Sequence, residues 1–132
     1  MNSISSLLGR VGLSLIFIIS GYGKIAGYAA TQGYMESVGV PGALLPLVIA
    51  LELGGGLAVL AGLGTRWVAL ALAGFSLILA AIFHHDLADQ MQAISFWKNV
   101  AIAGGFLMLA ANGPGPLSVD ARIASRRLVT AH

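Results

Sequence analysis

The sequence predicts an all-α fold, an integral membrane four-helix bundle, and three observations carry that prediction. Hydrophobic residues make up 58% of the 132 and charged residues only 9%, against about 25% charged in a soluble globular domain. Four apolar runs, at about 5–27, 42–63, 66–86 and 96–112, approach or exceed the roughly 20 helical residues that cross a hydrocarbon core of about 30 Å. None of them alternates apolar with polar residues, and lipid offers no hydrogen-bond partner to an open backbone. The spans must therefore be helices rather than barrel strands. One membrane domain over residues 1–132 follows, with short interfacial segments and a basic C-terminal stub.

Composition also excludes functions. The net charge of +2 rests on seven Lys and Arg that are scattered or flank apolar runs, which marks topology charges rather than a nucleic-acid surface. With no cysteine in the chain, disulfides, thiolate metal ligands, Fe–S clusters and CxxC redox chemistry are absent.

Span one contains LLGRVGLSLIFIISGYGKIAGY. The length of its apolar run, with Lys24 near its end, predicts an uncleaved first membrane helix rather than a signal peptide. Arg10, Ser14, Phe17, Gly21 and Lys24 fall on one stripe that should look inward, and Gly23 and Gly27 form a GxxxG that favours tight packing. Between spans one and two, Tyr28, Tyr34 and Met35 suit a membrane interface, and Val40-Pro41-Gly42 marks a helix break. The tight connection GLGTRW makes spans two and three antiparallel neighbours, with glycines to end one helix and Thr65 to cap the next. DLADQMQAIS carries Leu87, Met91 and Ile94 at helical spacing and is expected along the interface. After span four, GPGPLSVD stops the helix, and Ser118 can cap the basic stub ARIASRR.

Arg10, Arg66, Arg122, Arg126 and Arg127 share one side of this arrangement, whereas the other side has only Lys24 and Lys98 beside Glu36, Asp86 and Asp89. The positive-inside rule then places both termini in the cytoplasm. The tail arginines suit anchoring on anionic membrane lipids, at about 1 kcal/mol each.

Glu52 is the residue in most need of a reason, because an acidic side chain near mid-membrane costs about 2.5–3.5 kcal/mol on insertion scales. It shares a face with Gly55 and Gly56, while Ala50, Gly54 and Ala58 form a neighbouring small-residue row. Another helix can approach closely there. The run GGGLAVLAG lacks the spacing and the Lys-Ser or Lys-Thr of a phosphate loop, but an unwound, ion-binding transporter helix stays open. On depth, Lys24 is the expected partner of Glu52. His84, His85, Lys98 and Asn99 cluster at the same end and, with Lys24, can line a polar mouth above Glu52.

Each of these residues also has a plainer reading. Arg10, Lys24 and Lys98 lie near span ends and can snorkel to headgroups. Asn99 can join helices by hydrogen bonds, and Glu52 can be half of a structural ion pair. His84 and His85 sit about 100° apart on a helix and cannot both face one internal site. No metal site is expected from His85 and Asp89 alone.

The combination of GR, SGxGK, ELGGG, GxxTR, the span-three histidine and KN followed by GPGxxS resembles the DoxX family of small bacterial inner-membrane proteins, over nearly the whole chain. The resemblance implies a bacterial inner-membrane location and association with quinol-oxidase or thiosulfate:quinone oxidoreductase systems. The residues limit that implication. The histidines are only His84, His85 and the tail's His132, too few on facing helices for a bis-histidine haem. A redox role would need a bound quinone, an external cofactor or a partner subunit.

The leading expectation is a membrane component of a quinone-linked oxidoreductase system. Glu52 would handle a proton or accept from a quinol hydroxyl, while Lys24 and Asn99 bind the carbonyl end and a histidine lies near the mouth. The rivals are a proton-coupled transporter of a small apolar, aromatic or lipidic molecule and a structural subunit of a membrane complex. The small-residue rows favour a homo-oligomer.

Overall fold

A computed structural model describes residues 3–130. They form helices joined by turns, with no strand among the described residues. Helix α1 runs Ser3–Ala26 and α2 Tyr28–Ser37. Helix α3, Gly42–Ala61, opens with a 3-10 turn, and α4 runs Thr65–Phe83. Helix α5 spans Gln90–Asn112 and α6 Val119–Thr130. Four of these, α1, α3, α4 and α5, are long and apolar enough to cross a membrane.

The most extensive helix pair is α4 with α5, and α1 packs along α3, whereas α1 meets α5 sparsely. Phe17 of α1 joins the two pairs. Its ring meets Phe106 of α5 edge-on at 5.5 Å and Phe75 of α4 at 6.3 Å, in a core shared with Val59, Ala69, Leu72 and Ala103. The buried residues of α1 are Arg10, Ser14, Phe17 and Gly21, the stripe that the spacing predicts.

Glycines set the close approaches, though not at the GxxxG. A Cβ at Gly23 would meet nothing, and one at Gly27 only the carbonyl of Gly23 at 3.6 Å. That pair packs against no other helix. Contact runs instead through Gly21, where a Cβ would lie 2.7 Å from Leu53, and through Gly56, where it would lie 2.8 Å from Ile18.

The α3–α4 turn is a Schellman cap, with Gly62 N–H donating to Val59 (3.1 Å) and Leu63 N–H to Ala58 (2.8 Å). Gly62 and Gly64 both take left-handed φ, +75° and +59°. Arg10, 1% exposed, completes the cap by donating Nη1 to the carbonyls of Val59 and Leu60, each at 3.1 Å, and Nη2 to Leu117. The sequence expectation that Thr65 caps α4 is corrected. Asp120 does so from α6, its Oδ1 accepting from Gly64 N–H (2.8 Å) and Oδ2 from Thr65 N–H (2.9 Å). In return Asp120 N–H donates to Gly62 at 2.9 Å. Ser118 caps α6 as expected, accepting from Ala121 N–H at 3.1 Å.

Two boundaries differ from the sequence reading. Helix α4 ends at Phe83, leaving both histidines in the following turn. Residues 90–95, expected along the interface, are instead the first turns of α5, because the Asp89 carboxylate accepts from Met91 N–H at 3.0 Å and starts the helix there.

Gly62→Ala should destabilise the protein by at least ~1–2 kcal/mol, the left-handed penalty alone. Its Cβ would also run into Ser118 and the Arg10 guanidinium. Gly23→Ala should be near neutral; thermal unfolding of both variants in detergent checks this. Burial alone would raise the Asp120 carboxyl pKa, but hydrogen bonds from Thr65 and Gly64, aided by the Arg10 charge, outweigh it and hold the group below its ordinary value. A carboxyl depressed in the folded state contributes stability above its unfolded pKa and loses it as pH falls through the folded one. Docking of α6 should therefore weaken on acidification below the usual Asp range, and Asp120→Asn should weaken it at neutral pH. Fluorescence of Trp67, which flanks α6 beside Ile123 and Leu128, reports this in a Trp97→Phe background.

Candidate functional site

Near the end of the bundle opposite Arg10, Lys24 of α1 forms an ion pair with Glu52 of α3. The ammonium lies 2.8 Å from Oε1 and 3.1 Å from Oε2, and 2.6 Å from Ser20 Oγ one turn back on its own helix. Two of its three donors are spent on hydrogen bonds, to Ser20 and to Glu52 Oε2. Glu52 is buried at 1% exposure and the Lys24 side chain is a quarter exposed, so the carboxylate lies deep and the cation stands at its opening.

Local sequence explains the placement. Glu52 sits in a π turn, Ala50–Gly54, within an otherwise continuous α3, and such single-turn widenings are frequent at functional sites. The following glycines let two helices close in. A Cβ on Gly56 would crowd α1 at 3.2 Å from the Ser14 carbonyl, and one on Gly55 would reach Leu72 of α4 at 3.2 Å. The glycine run does not unwind the helix, so the broken-helix geometry of a transporter does not form.

Beside the pair lies a cavity of about 200 Å³, with Lys24 as the one charged group of its lining. Met35 covers it from α2, Leu44 and Val48 come from α3, and Phe75, Leu79 and Phe83 from α4. Helix α2 is pinned over it by a Tyr34–Phe83 ring stack at 5.4 Å and by Gln32 Nε2 donating to the Gly42 carbonyl at 3.1 Å. The interfacial segment expected between spans one and two is thus a helical cover. No polar atom faces the cavity, so Lys24 lines it through its methylene stem, and the arrangement offers an apolar space with an ion pair directly behind one wall.

The other sequence-selected residues do not line this cavity. Arg10 serves the opposite end as a helix cap. Lys98 is exposed, and Asn99 donates to the Ser95 carbonyl of its own helix at 2.9 Å. His84 follows the α4 terminus, and His85 Nδ1 lies 3.0 Å from the Ile82 carbonyl. The expected polar mouth is therefore reduced to Lys24, while His132 lies outside the described residues. No group of three or more His, Cys, Asp or Glu is placed to hold a metal among the described residues. Sequence reasoning missed Ser20, whose only signal was its i−4 spacing from Lys24, and it missed Asp120 and the apolar cover of α2.

The fold and this buried pair define a multi-pass helical protein of a membrane interior. The chain belongs to the DoxX family, whose model matches residues 5–85. It is 51% identical over 120 residues to Inner membrane protein YqjF of Escherichia coli strain K12, covering 91% of this chain and 92% of that protein. Inner membrane protein YphA of the same strain is 40% identical over 123 residues, 88% of each chain. A shorter match, 37% over 70 residues, covering 53% of this chain and 52% of the relative, is to Putative oxidoreductase CatD of Bacillus subtilis strain 168. No solved structure matches the chain. Four apolar helices and inner-membrane relatives together make this a multi-pass protein of the bacterial inner membrane.

Removing either partner of the pair strands a charge, which costs about 3–5 kcal/mol at buried sites. Lys24→Met leaves the Glu52 carboxylate unpaired at 1% exposure and should reach this range, whereas Glu52→Leu strands a quarter-exposed ammonium and should fall toward its low end. The double variant should recover most of the loss. Thermal unfolding of the four proteins measures the cycle, and additive losses would show that the two charges do not interact.

Proposed function

We propose that this protein is a membrane component of a quinone-linked oxidoreductase system, binding a quinone-type ring in the cavity beside Lys24. The observation that carries the reading is an apolar cavity roofed by aromatic and methionine side chains, one wall of which is the stem of Lys24 with the Lys24–Glu52 ion pair behind it. Lys24 donates to a carbonyl oxygen of the ring, re-aiming one of the N–H groups now spent on Ser20 or Glu52. Glu52 keeps that cation from being an unpaired charge and takes up or releases the proton that accompanies quinone reduction. A cavity of about 200 Å³ is smaller than drug-sized sites of roughly 300–1,000 Å³, so it suits a single ring with any prenyl tail left in lipid.

The partial likeness to a protein named as an oxidoreductase supports the redox class, and electrons would come from a partner subunit or an external cofactor. The charge asymmetry supports cytoplasmic termini. Exposed Ala50 and Gly54, beside which a Cβ at position 54 meets nothing, offer a contact face for a second copy. A proton-coupled transporter is the second reading, favoured by the burial of the Glu52 carboxylate midway along a membrane helix, as in proton relays.

Titration of purified protein with decyl-ubiquinone tests the proposal. Wild type should bind, and Lys24→Met should bind about tenfold or more weakly, as expected for loss of a charge-assisted hydrogen bond of about 1.5–3 kcal/mol. Glu52→Gln should retain binding while losing its pH dependence. No binding by wild type removes the quinone reading. Ligand uptake into proteoliposomes that follows a pH gradient and requires Glu52 selects the transporter instead.

A further inference from the structure

The sparse contact between α1 and α5 leaves a second crevice of about 200 Å³ at the Arg10 end, remote from the Lys24 cavity and independent of the function proposed for it. Its two ends differ in chemistry. Leu13, Gly105 and Met108 form an apolar length, and Met108 is 65% exposed, so this part opens sideways onto the lipid face. Ser5, Asn112 and Arg10 form a polar end, where the Arg66 guanidinium also stands beside Gly113.

Arg10 makes this more than a gap between helices. It is 1% exposed, its hydrogen-bond partners are all carbonyl oxygens, and its Nε is buried with no partner. The groups that hydrogen-bond the guanidinium are neutral, and the Asp120 carboxylate, which feels its charge, hydrogen-bonds Gly64 and Thr65 instead. Arg66 adds a second cation nearby.

We infer that this crevice is a binding site for one anionic phospholipid of the surrounding bilayer, with an acyl chain between α1 and α5 and the phosphate at the Ser5–Asn112 end, in the field of Arg10 and Arg66. Charge complementarity selects an anionic headgroup. The continuous passage from polar end to lipid-open apolar length selects a molecule with a chain, in preference to a free anion. The site differs from diffuse attraction of the tail arginines to a charged surface, because one chain must fit between two named helices.

Glycine supplies the test. A Cβ at either Gly9 or Gly12 of α1 would meet nothing within 4 Å, yet only Gly9 lines the crevice. Gly9→Leu therefore adds bulk to the crevice from a Cβ that itself meets nothing, and Gly12→Leu is its matched control on the same helix. Delipidated protein in neutral detergent is titrated with phosphatidylglycerol, phosphatidylcholine or inorganic phosphate, with melting temperature and native mass spectrometry as readouts. Phosphatidylglycerol should raise the melting temperature of wild type and Gly12→Leu and form a one-to-one adduct, with neither phosphatidylcholine nor phosphate reproducing the shift. Gly9→Leu should bind phosphatidylglycerol at least about tenfold more weakly, a loss of ~1.4 kcal/mol, while its lipid-free melting temperature stays near wild type. Equal response to the two lipids, an equal shift from phosphate, or an undiminished response in Gly9→Leu would each overturn the assignment.

Discussion

The architecture depends on one constraint, that charges buried among apolar helices must find partners within the chain, and Arg10 is where most of the chain answers it. Its guanidinium reaches the last carbonyls of α3 and the carbonyl of Leu117. One side chain of α1 thereby joins the end of a second helix to the approach of α6. Water would satisfy those terminal carbonyls in a soluble protein. Near lipid they need an internal donor, and the left-handed turn at Gly62 exists in the space that donor leaves.

Lys24 and Glu52 solve the same problem at the other end by a different route. There the pair is ionic, and the π turn and the flanking glycines allow α1 and α4 to close around a carboxylate that would otherwise be isolated. The result is a bundle with two polarised ends on one helix. Arg10 secures the frame at one end, and at the other a compensated charge borders an apolar space. The first end spends both Nη groups of its cation on backbone carbonyls, and the second keeps its cation on a carboxylate.

Much of this was legible in the sequence. Hydropathy and length give four spans, and the 3.6-residue period puts Arg10, Ser14, Phe17 and Gly21 on the buried face. Depth alone pairs Lys24 with Glu52. What the sequence conceals has a common physical character: it depends on contacts between distant segments. Asp120 caps a helix that begins 55 residues earlier, and nothing local marks it. The histidines look like span residues until the turn after Phe83 removes them from the helix. Residues 90–95 look interfacial because Leu87, Met91 and Ile94 recur at helical spacing among polar residues, yet the Asp89 cap extends α5 through them. The GxxxG at Gly23 and Gly27 matches a packing motif, but the helices meet one face away, at Gly21.

Arg10 also constrains how the protein is made. Its acceptors at Val59 and Leu117 lie 49 and 107 residues downstream, and synthesis proceeds from the N-terminus. When α1 first enters the membrane, neither acceptor is yet packed beside it. The guanidinium must then wait at the headgroup layer, where a long side chain can snorkel, and withdraw only after α3 and the segment before α6 have arrived. Biogenesis therefore ends with a charge moving inward, so that the last step of assembly is the sealing of the first helix.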